Sequence, residues 1–231
     1  ADGIAECLQQ NFSLEHKKVL LEVPQKGDKK KLVELALKNA RSQLQDAELF
    51  WQQKQVKATE SLLLLKKELE LEAIAERIEC YDISHLGGTH TVGSMVVFEQ
   101  GKPKKNLYRH FVIKEETNSD DYAALREMLL RRFKRLDEKE KDVSFKEKPD
   151  LILIDGGKGQ LSAVLEIMHK MKIKNIALAA LAKREEEIFL PRKKISIILP
   201  KNSPALFLLQ RIRDEAHRFA LSLQRKKRKF S

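Results

Sequence analysis

Asp82, Asp155 and His217 are the residues of this chain whose type and placement could do chemistry. Asp82 lies in Arg77-Ile-Glu-Cys-Tyr-Asp-Ile-Ser-His85, an alternating run with Ile78, Cys80 and Asp82 on one face of a strand and Glu79, Tyr81 and Ile83 on the other. Burying an unpaired carboxylate is expensive, so Asp82 is either hydrogen-bonded into the core or holds a metal. Asp155 follows the apolar run Leu151-Ile-Leu-Ile154 and precedes Gly156-Gly-Lys-Gly159. Ligand sites in open α/β sheets lie beyond the carboxyl ends of strands, and glycines let a phosphate come close. The spacing around Lys158 excludes a nucleotide P-loop, which leaves Lys158 as a phosphate contact. On the last helix Gln210, Arg213 and His217 line one edge of an apolar stripe made of Leu209, Ile212, Ala216, Phe219 and Leu223. Separated carboxylates, an imidazole and cations suit Mg²⁺ or Mn²⁺, which activate water and offset charge on a phosphoryl group. The chemistry so described is metal-assisted phosphodiester hydrolysis.

Other polar groups have plainer explanations. Asp120 and Asp121 open a helix; capping accounts for Asp120 and leaves Asp121 open. Tyr122 either stacks or packs. Lys183-Arg-Glu-Glu-Glu187, taken alone, is a solvated turn after a buried strand.

The elements that must position these residues follow from periodicity and turn signals. A possible strand at Val19–Val23 is followed by Pro24 and Gly27, and from Asp28 apolar residues recur at helical spacing with no Gly or Pro before residue 77. One long helix, or two with a kink, therefore forms an arm over 28–76, and burial of Leu32, Leu35, Leu44, Phe50 and Trp51 requires it to dock. Residues 77–85, 91–99 and 106–114 are short strands at hairpin spacing, predicting an antiparallel meander. A helix over 120–136, a buried strand at 151–154, a helix over 160–171 and a strand at 176–181 come next. Extended runs around Ile188 and 195–199 precede a final helix that starts at Ser203-Pro204 and runs to Gln224. This order predicts an α/β mixed sheet with helices on both faces, as in ribonuclease-H-like nucleases, preceded by the arm: residues 1–76, then 77–231.

Composition sets bounds on partners. The chain of 231 residues carries a net charge of +11; residues 1–76 are near neutral, so the excess lies in the sheet region and in the tail Arg225-Lys-Lys-Arg-Lys229. A basic domain is the footprint of a polyanion, here nucleic acid. No apolar run is long enough to span a bilayer, and two cysteines, Cys7 and Cys80, make neither a disulfide framework nor a metal knuckle. A cytoplasmic protein without a membrane partner is expected.

Four segments resemble the UvrC subunit family of the bacterial excision-repair nuclease. They are Arg77–His85, Asp120-Asp-Tyr-Ala123, Pro149-Asp-Leu-Ile-Leu-Ile-Asp-Gly-Gly-Lys-Gly-Gln-Leu161, and Ser203-Pro-Ala-Leu with Arg211-Ile-Arg-Asp-Glu-Ala-His-Arg-Phe219. Leu181–Leu190, Val23–Asp28 and Asn39-Ala40 extend the similarity over most of the chain. The resemblance implies a ribonuclease-H-like endonuclease that makes the 5′ incision at a DNA lesion. It implies an Asp/Asp/His catalytic and metal-binding set on Asp82, Asp155 and His217, and a further acidic position on Asp121. Lys158, Arg213, Lys183 and Arg184 would contact phosphates. Lesion-bearing double-stranded DNA and the UvrB–DNA complex are the implied partners, the latter through modules of the family not seen in this chain. A non-catalytic DNA-binding scaffold with structural aspartates is the alternative; an integrase-like strand transferase is disfavoured because His217 stands where an acidic third residue would.

Overall fold

In the computed structural model, residues 24–86, 90–113, 120–136, 141–191 and 193–228 are described, with the backbone alone for 46–55, 86, 90 and 223–228. The strand expected at Val19–Val23, the Gly87-Gly88 turn, the side chains of Phe50, Trp51 and Leu223, and the end of the basic tail lie outside what is described. By packing, the chain divides into two units, Ala1–Lys54 and Gln55–Ser231.

Helix α1 (Gly27–Glu68) supplies the described part of the first unit and enters the second. Between residues 27 and 45 its apolar side chains stay in solvent, with Leu32, Leu35 and Leu44 each more than half exposed. Its last turns differ: Leu62, Leu65 and, just beyond the helix, Leu69 are buried in the second unit. The helix stops eight residues short of the expected 76. Glu70 takes a left-handed φ of 54°, and the amides of Glu70 and Leu71 bond back to Lys67 and Lys66, a Schellman-type stop.

The second unit is built on a seven-stranded mixed sheet. Its strands are β1 (Arg77–Leu86), β2 (His90–Glu99), β3 (Lys102–Pro103), β4 (Arg109–Val112), β5 (Leu151–Asp155), β6 (Ala177–Ala182) and β7 (Glu187–Phe189). They lie in the order β3-β2-β1-β5-β6-β7, with β4 also on β2. The meander is antiparallel, β1, β5 and β6 are parallel neighbours, and β7 closes the far edge antiparallel to β6. The third strand starts later than the sequence suggests. β3 pairs Pro103 with Phe98 and β4 pairs Arg109 with Met95, so three residues must be looped out between them; Lys105–Leu107 close into a 3-10 turn. The run at 195–199 makes only a bridge, Ile197 to Ile188.

Alternation along the strands separates two apolar layers. Ile78, Cys80, Leu151, Leu153, Ala179 and Leu181 pack under α5 (Pro204–Arg228) and the end of α1. Tyr81, Met95, Ile152, Ile154 and Ala180 pack under α2 (Asp121–Lys134) and α4 (Lys158–Lys170). A short helix, α3 (Val143–Lys146), fills the loop between α2 and β5.

One charged group is sunk into this second layer. Glu79 and Arg132 are both fully buried; Arg132 Nη2 and Nε donate to the two Glu79 oxygens at 2.8 and 3.1 Å, and its remaining donors reach the carbonyls of Phe145 and Glu147. Tyr81 Oη and Arg77 donate to the same carboxylate. Removing one member strands a desolvated charge. Arg132→Met should therefore lower stability in urea unfolding by about 3–5 kcal/mol, whereas Arg218→Met, at an exposed pair with Glu215, should cost about 1 kcal/mol or less.

Candidate metal centre

The site is a consequence of one parallel register. β1 and β5 pair Tyr81 with Ile154, so the next residues along, Asp82 and Asp155, stand side by side at the carboxyl ends of neighbouring strands. Both continue the face that carries Ile78, Cys80, Leu151 and Leu153, and so point to the α5 side. Asp82 is buried and Asp155 half-buried.

Helix α5 brings the third group. Leu209, Ile212 and Ala216 are its buried stripe, which leaves Arg213 and His217 along the edge toward the strand ends. Ser94, opposite Asp82 in the β1–β2 ladder and fully buried, donates its hydroxyl to the Ala216 carbonyl at 3.1 Å. That bond fixes the helix beside the strand at the residue preceding His217. As a small polar residue in an otherwise apolar strand, Ser94 left only a faint trace in the sequence. His217 Nδ1 lies 3.5 Å from Asp82 Oδ2, and one donor atom from each of Asp82, Asp155 and His217 falls within 4.8 Å of the others. Two carboxylate oxygens and an imidazole nitrogen so gathered could hold a divalent cation.

Electrostatics point the same way. Burial raises the Asp155 carboxyl to about 6, the neighbouring Asp82 charge adds to this, and Arg213, His217 and Lys183 oppose it. Burial also raises Asp82; His217 and a hydrogen bond from Ser84 pull it down, and Asp121 pushes it up. Two desolvated carboxylates this close resist ionising together, and a bound cation removes the conflict.

The remaining expected residues divide into two groups. Asp120 caps α2, accepting from the amides of Tyr122 and Ala123, while Asp121 turns to His85, with Oδ1 2.7 Å from Nε2. The phenol of Tyr122, in the first turn of α2, lies against Gly159 of α4; a Cβ there would come 2.7 Å from its Oη and the phenol would have to shift. Lys158, Lys183 and Arg184 are exposed around the strand ends. Arg213 departs from the expected phosphate contact. It is 6 % exposed, with its guanidinium filled by Glu186 at 2.7 and 3.2 Å and by Asp214 at 3.1 Å. Its position inside the apolar stripe's edge forces an internal partner, and it ties α5 to the β6–β7 turn.

An acid whose folded value near 6 exceeds its ordinary 3.8 is favoured by folding while protonated. Without divalent metal, the Asp155 contribution to stability should be full below about pH 4 and lost as pH rises through about 6. Carboxyl ¹³C NMR should show an Asp155 midpoint near 6 that falls in Asp82→Asn; a midpoint unchanged by that substitution would rule out the mutual repulsion.

Comparison with known proteins identifies the family. Residues 66–221 match the family model for the UvrC RNAse H endonuclease domain, and residues 1–47 match that for the UvrC ribonuclease H-like domain. UvrABC system protein C of Carboxydothermus hydrogenoformans is 47% identical over 229 residues, 96% of this chain and 38% of that protein. Its counterpart in Dehalococcoides mccartyi is 49% identical over 196 residues, 85% of this chain and 32% of that protein. The chain thus spans about a third of the length of the curated relatives it matches. Among solved structures, human ENDOV aligns over 72% of this chain and 96% of its own at a TM-score of 0.41 and 13% identity, a distance at which no residue role transfers. With the family model covering residues 66–221, the chain belongs to the UvrC RNase H endonuclease domain family.

Proposed function

We propose that this chain is a metal-dependent DNA endonuclease domain that makes the 5′ incision at lesions in nucleotide excision repair. The observation that carries the reading is the convergence of Asp82, Asp155 and His217 in a space a single cation would fill. A non-catalytic scaffold has no use for two desolvated carboxylates set side by side, each made harder to ionise by burial. That disfavours the alternative of a DNA-binding module with structural aspartates.

Asp82, Asp155 and His217 would hold Mg²⁺ or Mn²⁺. When bound, the ion supplies Lewis-acid charge at the scissile phosphate and lowers the pKa of water. The protein's own groups do the rest. The strand ends hold the two carboxylates on one face, and α5 brings His217 to them from the side. Lys158, Lys183 and Arg184 would meet backbone phosphates on either side of the cleft, which locates the strand to be cut without reading its bases. Arg213, paired with Glu186, would hold the turn that carries Lys183 and Arg184 in place. Lesion-bearing duplex delivered by the UvrB–DNA complex is the proposed substrate. No helix among the described residues is long and apolar enough to cross a membrane.

Nicking of supercoiled plasmid and of lesion-bearing duplex, with Mn²⁺ and with chelator, tests the reading. Asp82→Asn and His217→Ala should each lose about 10²-fold or more in rate. Thermal stability and DNA affinity should stay near the parent's, because His217 is about half exposed and neutralising Asp82 relieves its burial cost. Full activity in either variant would sink the proposal. Binding should also depend steeply on salt: Lys183→Ala should weaken affinity for all sequences alike and reduce the log–log salt slope by about 1.

A further inference from the structure

Beside the triad, the ends of β1 and α2 are joined by a second pair of side chains, His85 and Asp121. We propose that His85 is a positioning residue, which holds the Asp121 carboxylate at the mouth of the site and acts on incision through it. The inference rests on the endonuclease reading above and assigns a role to a residue outside the triad.

Three observations converge on it. Of the two adjacent aspartates, Asp120 takes both helix-capping bonds, from Tyr122 N at 2.9 Å and Ala123 N at 3.2 Å, so Asp121 is not used to start the helix. Its Oδ1 instead lies 2.7 Å from His85 Nε2. The other ring nitrogen is engaged as well: Nδ1 is 3.1 Å from Thr91 Oγ1, and Thr91 stands directly opposite His85 in the β1–β2 ladder. An imidazole held at both nitrogens cannot rotate or flip without losing a bond, so the hairpin itself sets the ring. With one oxygen held by the ring, the Asp121 carboxylate is oriented from β1, three residues along the strand from Asp82.

The energetics separate this role from a structural one. The two side chains are 41 and 43 % exposed, and a pair that open to solvent adds little to folding. What the pair supplies is orientation: the hairpin fixes the ring, and the ring fixes one oxygen of the Asp121 carboxylate.

The test uses the 231-residue chain in the Mn²⁺ nicking assay. His85→Ala should lower kcat by about tenfold, with KM for DNA and melting temperature near the parent's. His85→Gln, whose amide nitrogen can replace Nε2 as donor, should recover most of the loss. In an Asp121→Asn background His85→Ala should have almost no further effect, because the two act as one unit. Multiplicative losses, no recovery in His85→Gln, or a fall in melting temperature that tracks the lost activity would overturn the proposal. A long-range ¹H–¹⁵N spectrum reads the pair without activity: His85 should be protonated on Nε2, with a signal that shifts in Asp121→Asn. If the parent nicks and His85→Ala matches it, the positioning role fails and the endonuclease reading stands. If the parent does not nick while the spectrum shows the pair, the endonuclease reading fails and the contact is structural only.

Discussion

The parallel pairing of Tyr81 with Ile154 is the constraint on which the rest of the molecule depends. Had β1 slipped by one residue against β5, Asp82 would have exchanged faces with its neighbours, and the two carboxylates could not share a side of the sheet. The register is protected on both faces. Ile78, Cys80, Leu151 and Leu153 lock into the layer under α5, and Tyr81, Ile152 and Ile154 into the layer under α2 and α4. A slip would drive apolar side chains and the buried Glu79 into the wrong layers together. Glu79 adds a register pin: Arg77 and Tyr81 travel with it on β1, but Arg132 of α2 would be left behind by a slip.

The two faces treat buried charge in opposite ways. Under α2, Glu79 is neutralised by a buried arginine that is itself held by the carbonyls of Phe145 and Glu147. Under α5, Asp82 and Asp155 have no such partner; Arg213, the nearest buried cation on that helix, is committed to Glu186 and Asp214. The consequence is a pair of desolvated carboxylates with no arginine of their own, at the end of the sheet reached by α5 and the β6–β7 turn. A divalent cation is the economical remedy.

Much of this was legible in the chain. The alternation in Arg77–His85 assigned Asp82 to the face of Ile78 and Cys80, and the apolar run before Asp155 placed it at a strand end, because strand periodicity is local and strong. Helical spacing put His217 beside the stripe of Leu209, Ile212 and Ala216, where it is found. Asp120 as the cap also followed from type and position. Less legible were the ends of elements: the Schellman stop at Glu70 uses a left-handed non-glycine residue, and the 3-10 turn at 105–107 arises from pairing with β2, which no local pattern records.

Periodicity and turn chemistry sort side chains onto faces and ends within each element, and so limit which residues could meet. Which of them do meet was decided only by packing between elements. The same residue types gave Arg213 an internal ion pair and left Lys183 and Arg184 in solvent, since α5 buries one side of its stripe edge and the turn does not. Glu79 reads as an ordinary polar residue of a half-exposed strand until α2 covers it and supplies Arg132. His85 and Asp121, thirty-six residues apart, come within hydrogen-bonding distance only because packing brings the end of β1 to the start of α2. Local chemistry is written residue by residue, but desolvation and partnership depend on which surfaces the folded chain brings together.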